Sequence, residues 1–393
     1  MMWNVCRIDD LGDINRGKSK HRPRNDARLF GGKYPFIQTG DVKKANLYIT
    51  EFDTTYSEFG LAQSRLWPKD TLCITIAANI AESAILGFDA CFPDSVVGFV
   101  PKKNKADLKF VKYLLDEFKV YMQQISKGTT QDNLSLDKLR RVKFYAPDYD
   151  VQVKIAKVIS AYDDLIENNN KRIKILEKMA ENLYKEWFVR FRFPGCEKIK
   201  MKECSPSGWV VSSRQACVQC PEHWNYGALH HLNSFKRGKN ITAAEMVEGV
   251  IPVISAGIEP SGYHCSYNVE GKSLTISSSG ANAGYLQCHF TSIWAADCSY
   301  CQDKNQLWFI FNALKFLQPV ISNMQVGSAQ PHVYPKHINK LCTILPNEEL
   351  IAKYCKMVEP IYEQISILQE KNKNLTKQRD MLLPRLMSRK LEV

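Results

Sequence analysis

Two short basic segments hold the residues best suited to chemistry in this chain. Arg16-Gly17-Lys18-Ser19-Lys20-His21-Arg22-Pro23-Arg24 sets five cationic side chains, Arg16, Lys18, Lys20, Arg22 and Arg24, beside Gly and Pro. That is the composition of an exposed loop able to neutralise phosphates. Lys236-Arg237-Gly238-Lys239 is a shorter version of it. Reading base edges in a groove takes amides, hydroxyls and guanidinium groups. Gln38, Thr39, Asn79 and Gln131 are the candidates in the first half of the chain, and Ser255, Ser278, Asn282 and Gln330 in the second. Each of these residue types also suits a turn or a helix cap.

Other patterns carry less. Cys217-x-x-Cys220 and Cys298-x-x-Cys301, with His223, His264 and His289 as substitutes, have the residue types of a thiolate zinc site. About 80 residues separate the two pairs, where compact zinc modules leave roughly 12 to 20. Free thiols without a metal are the expectation. Pro147-Asp148-Tyr149-Asp150-Val151-Gln152-Val153-Lys154 has a nuclease-like spacing of Pro-Asp and acid-x-Lys, yet it directly precedes a heptad pattern. There Asp148 or Asp150 serves as a cap and first-turn acid. The chain contains no Gly-rich phosphate loop ending in Lys-Ser/Thr, which argues against ATP hydrolysis. It also lacks an Asn-Pro-Pro-aromatic run of the kind that methylates adenine. No catalytic residue is assigned.

With 53 Lys and Arg against 41 Asp and Glu, the net charge of +12 draws polyanions, and nucleic acid fits better than a membrane surface. The longest apolar candidate, 72–88, is interrupted by Asn79 and Glu82, short of the roughly 18 apolar residues a spanning helix needs. Met1-Met2-Trp3-Asn4 lacks the basic and apolar regions of a signal peptide. Thirteen scattered cysteines, odd in number, suit reduced thiols. A cytoplasmic location is the expectation.

The elements that must position the basic segments are written twice. WNVCRIDDLGDINRGK at 3–18 matches WNYGALHHLNSFKRGK at 224–239 in Trp3/Trp224, Asn4/Asn225, Leu11/Leu232, Arg16/Arg237, Gly17/Gly238 and Lys18/Lys239, at an offset of 221. YPFIQTG at 34–40 answers IPVISAG at 251–257 at an offset of 217, and Gly128-Thr129-Thr130-Gln131 answers Gly327-Ser328-Ala329-Gln330 at 199. This spacing describes an internal duplication. Each copy has a front part of strands and turns, with runs such as LCITIAANI and KSLTISSS, and a helical rear part.

In the rear parts apolar residues keep a heptad seam for more than four heptads: Ile155, Ile159, Tyr162, Ile166, Ile173, Leu176, Ala180, Leu183 and Trp187, with a vacancy at Asn169. Adding 199 gives Tyr354, Val358, Ile361, Ile365, Leu368, Leu375, Leu382 and Leu386, with vacancies at Asn372 and Arg379. If the helices pair antiparallel so that facing residue numbers sum to 541, Asn169 faces Asn372, Ile155 faces Leu386, Ile166 faces Leu375 and Ile173 faces Leu368. A buried Asn layer fixes register, because a slip sets an amide against hydrocarbon. From 155 to 187 the seam spans roughly 48 Å at 1.5 Å per residue, about one and a half turns of B-DNA at 34 Å per turn. Such a pair would suit reading two short, unlike sites across an unread gap.

The run IAKVISAYDDLIENN at 155–169, continuing to LEKMAENLYKEWFVRFRFPG at 176–195, closely resembles the central conserved region of specificity subunits of type I restriction-modification systems, and the resemblance extends over nearly the whole chain. In that family the Gly-Ser/Thr-x-Gln element closes each recognition domain, as 128–131 and 327–330 do here. The resemblance implies a non-catalytic subunit that binds double-stranded DNA at a bipartite target. It also implies partners: two adenine-N6 methyltransferase subunits using S-adenosylmethionine, and ATP- and Mg2+-dependent translocase and nuclease (restriction) subunits. The second helical region lacks the Tyr-x-x-Trp-Phe of the first, so the two methyltransferase contacts need not be equivalent.

The fold expected is α+β: two mixed α/β target-recognition domains in pseudo-twofold tandem repeat, separated by two long antiparallel coiled-coil helices. The boundaries read as 1–147 for the first recognition domain, 148–195 for the central helical region, 196–345 for the second recognition domain with a Cys-rich entry segment at 196–223, and 346–393 for the last helical region. Two other readings stay open: a coiled-coil scaffold that binds proteins without reading DNA, and a self-sufficient DNA-modifying enzyme.

Overall fold

The computed structural model describes residues 3–127, 133–204, 218–324 and 332–391. They form two compact units: Met1–Asn169 with Lys371–Val393, and Asn170–Glu370.

The first unit is built on a five-stranded sheet in the order Gly12–Arg16, Val96–Pro101, Leu72–Thr75, Ser83–Leu86, Tyr48–Ile49. All pairings are antiparallel except that of Ser83–Leu86 with Tyr48–Ile49. The inner strands read LCIT, SAIL and VVGF and are buried throughout, as strands covered on both faces are. Side-chain alternation sends Leu72, Ile74, Ile85, Val97 and Phe99 into one core, shared with the helix Leu108–Glu117. It sends Cys73, Ala84, Leu86 and Val96 into a second core with Trp67 and Phe92. The carboxylate of Asp107 starts that helix by accepting from the Phe110 N–H (2.9 Å).

In the second unit a four-stranded antiparallel sheet has the order Lys236–Arg237, Cys298–Cys301, Ser273–Ser277, Leu286–His289. This matches the first four strands of the first unit's sheet. A three-stranded sheet places Ile251–Ile254 between Gly262–His264 and Trp294–Ala295.

The duplication holds residue by residue in the strand register. Trp3–Cys6 pairs with Phe144–Pro147 so that Asn4 opposes Ala146, Val5 opposes Tyr145 and Cys6 opposes Phe144. Shifting the first members by 221 and the second by 199 gives Asn225 with Leu345, Tyr226 with Ile344 and Gly227 with Thr343, which are the observed pairs of the second unit. The 199 offset also begins earlier than the Gly-Ser/Thr-x-Gln landmark. Leu108–Glu117, Lys119–Ser126 and Leu136–Arg141 start 199 residues before Leu307–Phe316, Gln318–Asn323 and Pro335–Ile338. These helices supply the α part of the mixed α/β recognition domains. Trp224 is buried under Phe193, stacked on it at 4.9 Å between ring centroids. Trp3 is half-buried beneath the Arg389 guanidinium, 5.3 Å from its ring.

The long helices run over Tyr149–Tyr184, continued by a π-turn at Lys185–Val189 that holds Trp187, and over Glu348–Met387. Every seam position is buried or half-buried. Within the first unit Ile155 and Leu386 share one core, and the Asn169 amide donates to the Asn372 carbonyl oxygen at 2.8 Å. Within the second unit the Tyr354 hydroxyl donates to the Ala180 carbonyl at 3.2 Å. Partners therefore descend on one helix as they ascend on the other, so the pairing is antiparallel.

Asn169 is buried and Asn372 half-buried, with Ile166 and Leu375 at the neighbouring seam positions. Asn169→Leu removes the donor that the Asn372 carbonyl uses and should lower the unfolding free energy by about 1–2 kcal/mol. The Asn169→Leu/Asn372→Leu double variant should recover most of it. Chemical denaturation of the four proteins of this double-mutant cycle gives the coupling, and a coupling of zero would remove the interaction from the account.

Candidate nucleic-acid interface

Four sequence segments converge in each unit, and the same backbone hydrogen bonds hold them. The Gly17 N–H donates to the Val96 carbonyl (2.8 Å) and the Lys18 N–H to the Phe92 carbonyl (3.0 Å). In the second unit Gly238 donates to Cys298 and Lys239 to Ala295, both at 2.9 Å. The segment that receives them also pairs in parallel with the second repeated motif, Phe36 with Cys91 and Val253 with Trp294. The Arg-Gly-Lys loops thus lie beside the strands that lead into Gln38 and Thr39, and into Ser255.

The third segment is a turn closing two sheet strands. Thr75 N–H donates to Glu82 and Ala81 N–H to Thr75, both at 2.9 Å; Ser277 donates to Tyr285 (3.0 Å) and Gly284 to Ser277 (2.9 Å). The first turn puts Ala78 and Ala81 at φ +60° and +63°, and the second uses Gly280 and Gly284 at +73° and +83°, where glycine adopts the left-handed region without strain. Asn79 sits between the two left-handed alanines, and its side-chain oxygen lies 3.4 Å from the Lys43 ammonium. The fourth segment is tied to this turn through Leu134 N–H to Ile76 O and Val333 N–H to Ser278 O, each 3.0 Å. Gln131 and Gln330, with the Gly-Ser/Thr-x-Gln elements, lie outside the described residues.

The cations divide into two groups. Arg16, Lys18, Lys20, Lys236 and Lys239 are exposed, with no ion pair in either unit among the described residues. Arg24 is engaged by Asp94 at 2.9 Å, Arg22 turns back to the carbonyls of Ser19 (2.9 Å) and His21 (2.8 Å), and Arg237 is held by Asp297 at 2.5 Å. Gln38 is exposed at the start of the helix Thr39–Lys44, where its N–H donates to the Asp41 carboxylate at 2.8 Å. Thr39, Ser255 and Asn282 are half-buried. Ser278 is fully buried and offers no side-chain atom to a groove, because it follows directly on Ser273–Ser277, an inner strand of the sheet.

The cysteines require one correction. Cys204 and Cys220, expected as free thiols, are joined in a disulfide with Cα atoms 6.0 Å apart. The hairpin Met201–Cys204 with Val218–Pro221 brings them within bridging range, a proximity across 16 residues that spacing alone does not reveal. Cys217 lies outside the described residues. Burial pushes the Cys288 and Cys298 thiols up to about 12 and the His289 imidazole down to about 4, so near neutral pH the thiols stay protonated and the imidazole neutral. Among the described residues no group of three or more His, Cys, Asp or Glu is disposed to hold a metal ion.

One polar cluster was not legible as a site. Arg379, a vacancy in the seam, donates to the Asp163 carboxylate (2.5 Å), which also accepts from the Asn46 amide (3.1 Å) and the Tyr113 hydroxyl. Burial, then the Asp163 charge, pushes the Tyr113 hydroxyl's pKa up, so it remains a donor. A charged residue at a seam position was the available signal.

A family model described as type I restriction modification DNA specificity domain matches the chain twice, over 2–178 and 221–377. The chain belongs to this family. The two matches coincide with the two copies of the repeat, so the target-recognition domains are in tandem. Among curated relatives, the chain is 27% identical to the type I restriction enzyme MjaIX specificity subunit of Methanocaldococcus jannaschii, covering all of this chain and 94% of the relative. It is 23% identical to the type I restriction enzyme HindI specificity subunit of Haemophilus influenzae, covering 96% and 98%. The crystal structure of a type I restriction-modification system S subunit from M. genitalium has the same fold, with a TM-score of 0.60 at 20% identity over 98% of this chain and 96% of that one. No helix among the described residues is long and apolar enough to cross a membrane.

The repeated glycines explain why Arg-Gly-Lys recurs. A Cβ on Gly17 would stand 2.3 Å from the Pro93 carbonyl oxygen, and one on Gly238 would stand 2.3 Å from that of Ala296. Gly17→Ala and Gly238→Ala should each lower the unfolding free energy by about 1–3 kcal/mol. Gly40→Ala, with nothing within 4 Å of the new Cβ, should not. Thermal or urea denaturation reads all three, and equal effects at Gly17 and Gly40 would refute the close-approach explanation.

Proposed function

We propose that this chain is the DNA-reading, non-catalytic subunit of a type I restriction-modification complex, each recognition domain reading one half of a bipartite, asymmetric target. The observation that supports this best is the pair of matching backbone frames, each presenting exposed cations, Lys18 and Lys20 in one and Lys236 and Lys239 in the other, beside side chains that differ between the copies. Phosphate contacts fix the position of a protein on the duplex, while unlike loops read unlike sequences. Arg16 joins Lys18 and Lys20 on phosphates, and Arg22, Arg24 and Arg237 support the loops through their present partners. Gln38, Thr39, Asn79 and Gln131 read one half-site; Ser255, Asn282 and Gln330 read the other.

In this reading 1–147 and 196–345 are the recognition domains, and 148–195 and 346–393 are helical regions that recruit two methyltransferase subunits and the translocase and nuclease subunits. S-adenosylmethionine, ATP and Mg2+ belong to those partners. Asn169 with Asn372 sets the helix register, and the helix length sets the unread gap.

DNA affinity should fall with log salt with a slope of several units, and Lys18→Ala/Lys20→Ala should reduce that slope by about 2. Binding titrations of the full chain over a salt series measure both, and no DNA binding at any salt concentration would discard the proposal. Inserting one heptad into each long helix should lengthen the gap without altering either half-site, as mapped by adenine methylation; an unchanged gap would remove the helices from that role.

A further inference from the structure

The Arg379 cluster ties the second long helix to the loop after Thr39–Lys44 in the first unit, and the matching positions of the second unit carry other residues. The Arg379 guanidinium donates to Asp163 and to the Asn46 side-chain oxygen (3.1 Å), and its other nitrogens reach Asp380 at 2.8 and 3.0 Å. Asn46 returns a hydrogen bond to Asp163 at 3.1 Å. Asp163 is 3% exposed and Arg379 18%, so the pair is shielded from the water that weakens surface ion pairs. Asn46 lies two residues past the helix Thr39–Lys44, which Gln38 caps and Thr39 begins. The cluster lines an open cleft of about 330 Å³ with Ala45 and Asn46 on one wall, so without it this loop has room to move.

At the positions 199 residues away the charges are gone. Tyr362 stands for Asp163, Asn312 for Tyr113, and Ala180 for Arg379. There the Tyr362 hydroxyl donates to the Asn312 side-chain oxygen at 2.9 Å. The donor and acceptor have exchanged helices, and the cation has disappeared together with the carboxylate it neutralised.

We propose that Arg379 and Asp163 are positioning residues for DNA reading by the first unit alone, holding Asn46 and through it the helix that presents Gln38 and Thr39. This rests on the DNA-reading role above. The test uses the purified full chain and three duplexes: the target found by mapping methylated adenines, and that target with one or the other half-site altered. Asn46→Ala breaks the link at an exposed residue without leaving a buried charge unpaired, and Arg379→Gln breaks it at its centre. Both should lose about tenfold in discrimination at the same single half-site and keep wild-type discrimination at the other, with Arg379→Lys recovering part of the loss. Melting temperatures measured alongside separate this one-sided loss from general destabilisation. Asn46→Ala with wild-type discrimination at both half-sites, or an equal loss at both, overturns the assignment. A wild-type chain that binds none of the duplexes instead overturns the DNA-reading role itself.

Discussion

Antiparallel pairing of the two long helices is the interaction on which the rest of the structure depends. The first unit is not a contiguous stretch: Lys371–Val393 completes it, and Leu383 and Leu386 enter the same core as Ile155 and Ile159. The helix Leu108–Glu117 packs on the sheet's apolar face, and Ile155, Ile159, Leu383 and Leu386 of the long helices extend the same core. Within that seam Asn169 and Asn372 contribute one amide hydrogen bond in surroundings where any other register would bury an unpaired amide. The energetic cost of a polar layer is small beside the seam, but its effect on which residues face each other is large.

The duplicated units differ in how they treat the same buried site. A charged pair serves one and a neutral Tyr to Asn hydrogen bond serves the other. Removing one partner of a buried ion pair leaves an uncompensated charge, whereas exchanging the set for neutral groups need not cost stability. That asymmetry explains why the cation and the carboxylate are absent together from the second unit. It also means that two domains built on one plan are braced by different chemistry.

The proposed DNA-reading surface follows a similar division of labour. Backbone hydrogen bonds and two closely approached glycines define the frame in both copies, while the side chains between them differ. A frame held by main-chain groups tolerates change in the loops it supports, so the tandem domains keep one frame while their loop side chains diverge.

Much of this was legible in the chain itself. The offsets of 221 and 199 and the heptad spacing are patterns of residue type: the offsets reflect an internal duplication, and the heptad follows from the local periodicity of a helix. They define the duplication, the seam, and Asn169 facing Asn372. Other features are decided only when distant segments meet. The helix Leu307–Phe316 is buried over most of its residues, so its sequence LWFIFNALKF is a nearly continuous apolar run without a clear polar face. The Cys204 to Cys220 bridge depends on a hairpin, the burial of Ser278 on its place at the end of an inner strand, and the division between free and engaged cations on acids such as Asp94 and Asp297. Arg379 is an irregularity in the seam by sequence; its meaning comes from Asp163 and Asn46, 216 and 333 residues away along the chain. Local pattern specifies which elements form, because it depends on near neighbours. Charge pairing and burial are settled by tertiary structure, because they depend on whichever groups the fold brings within a few ångströms.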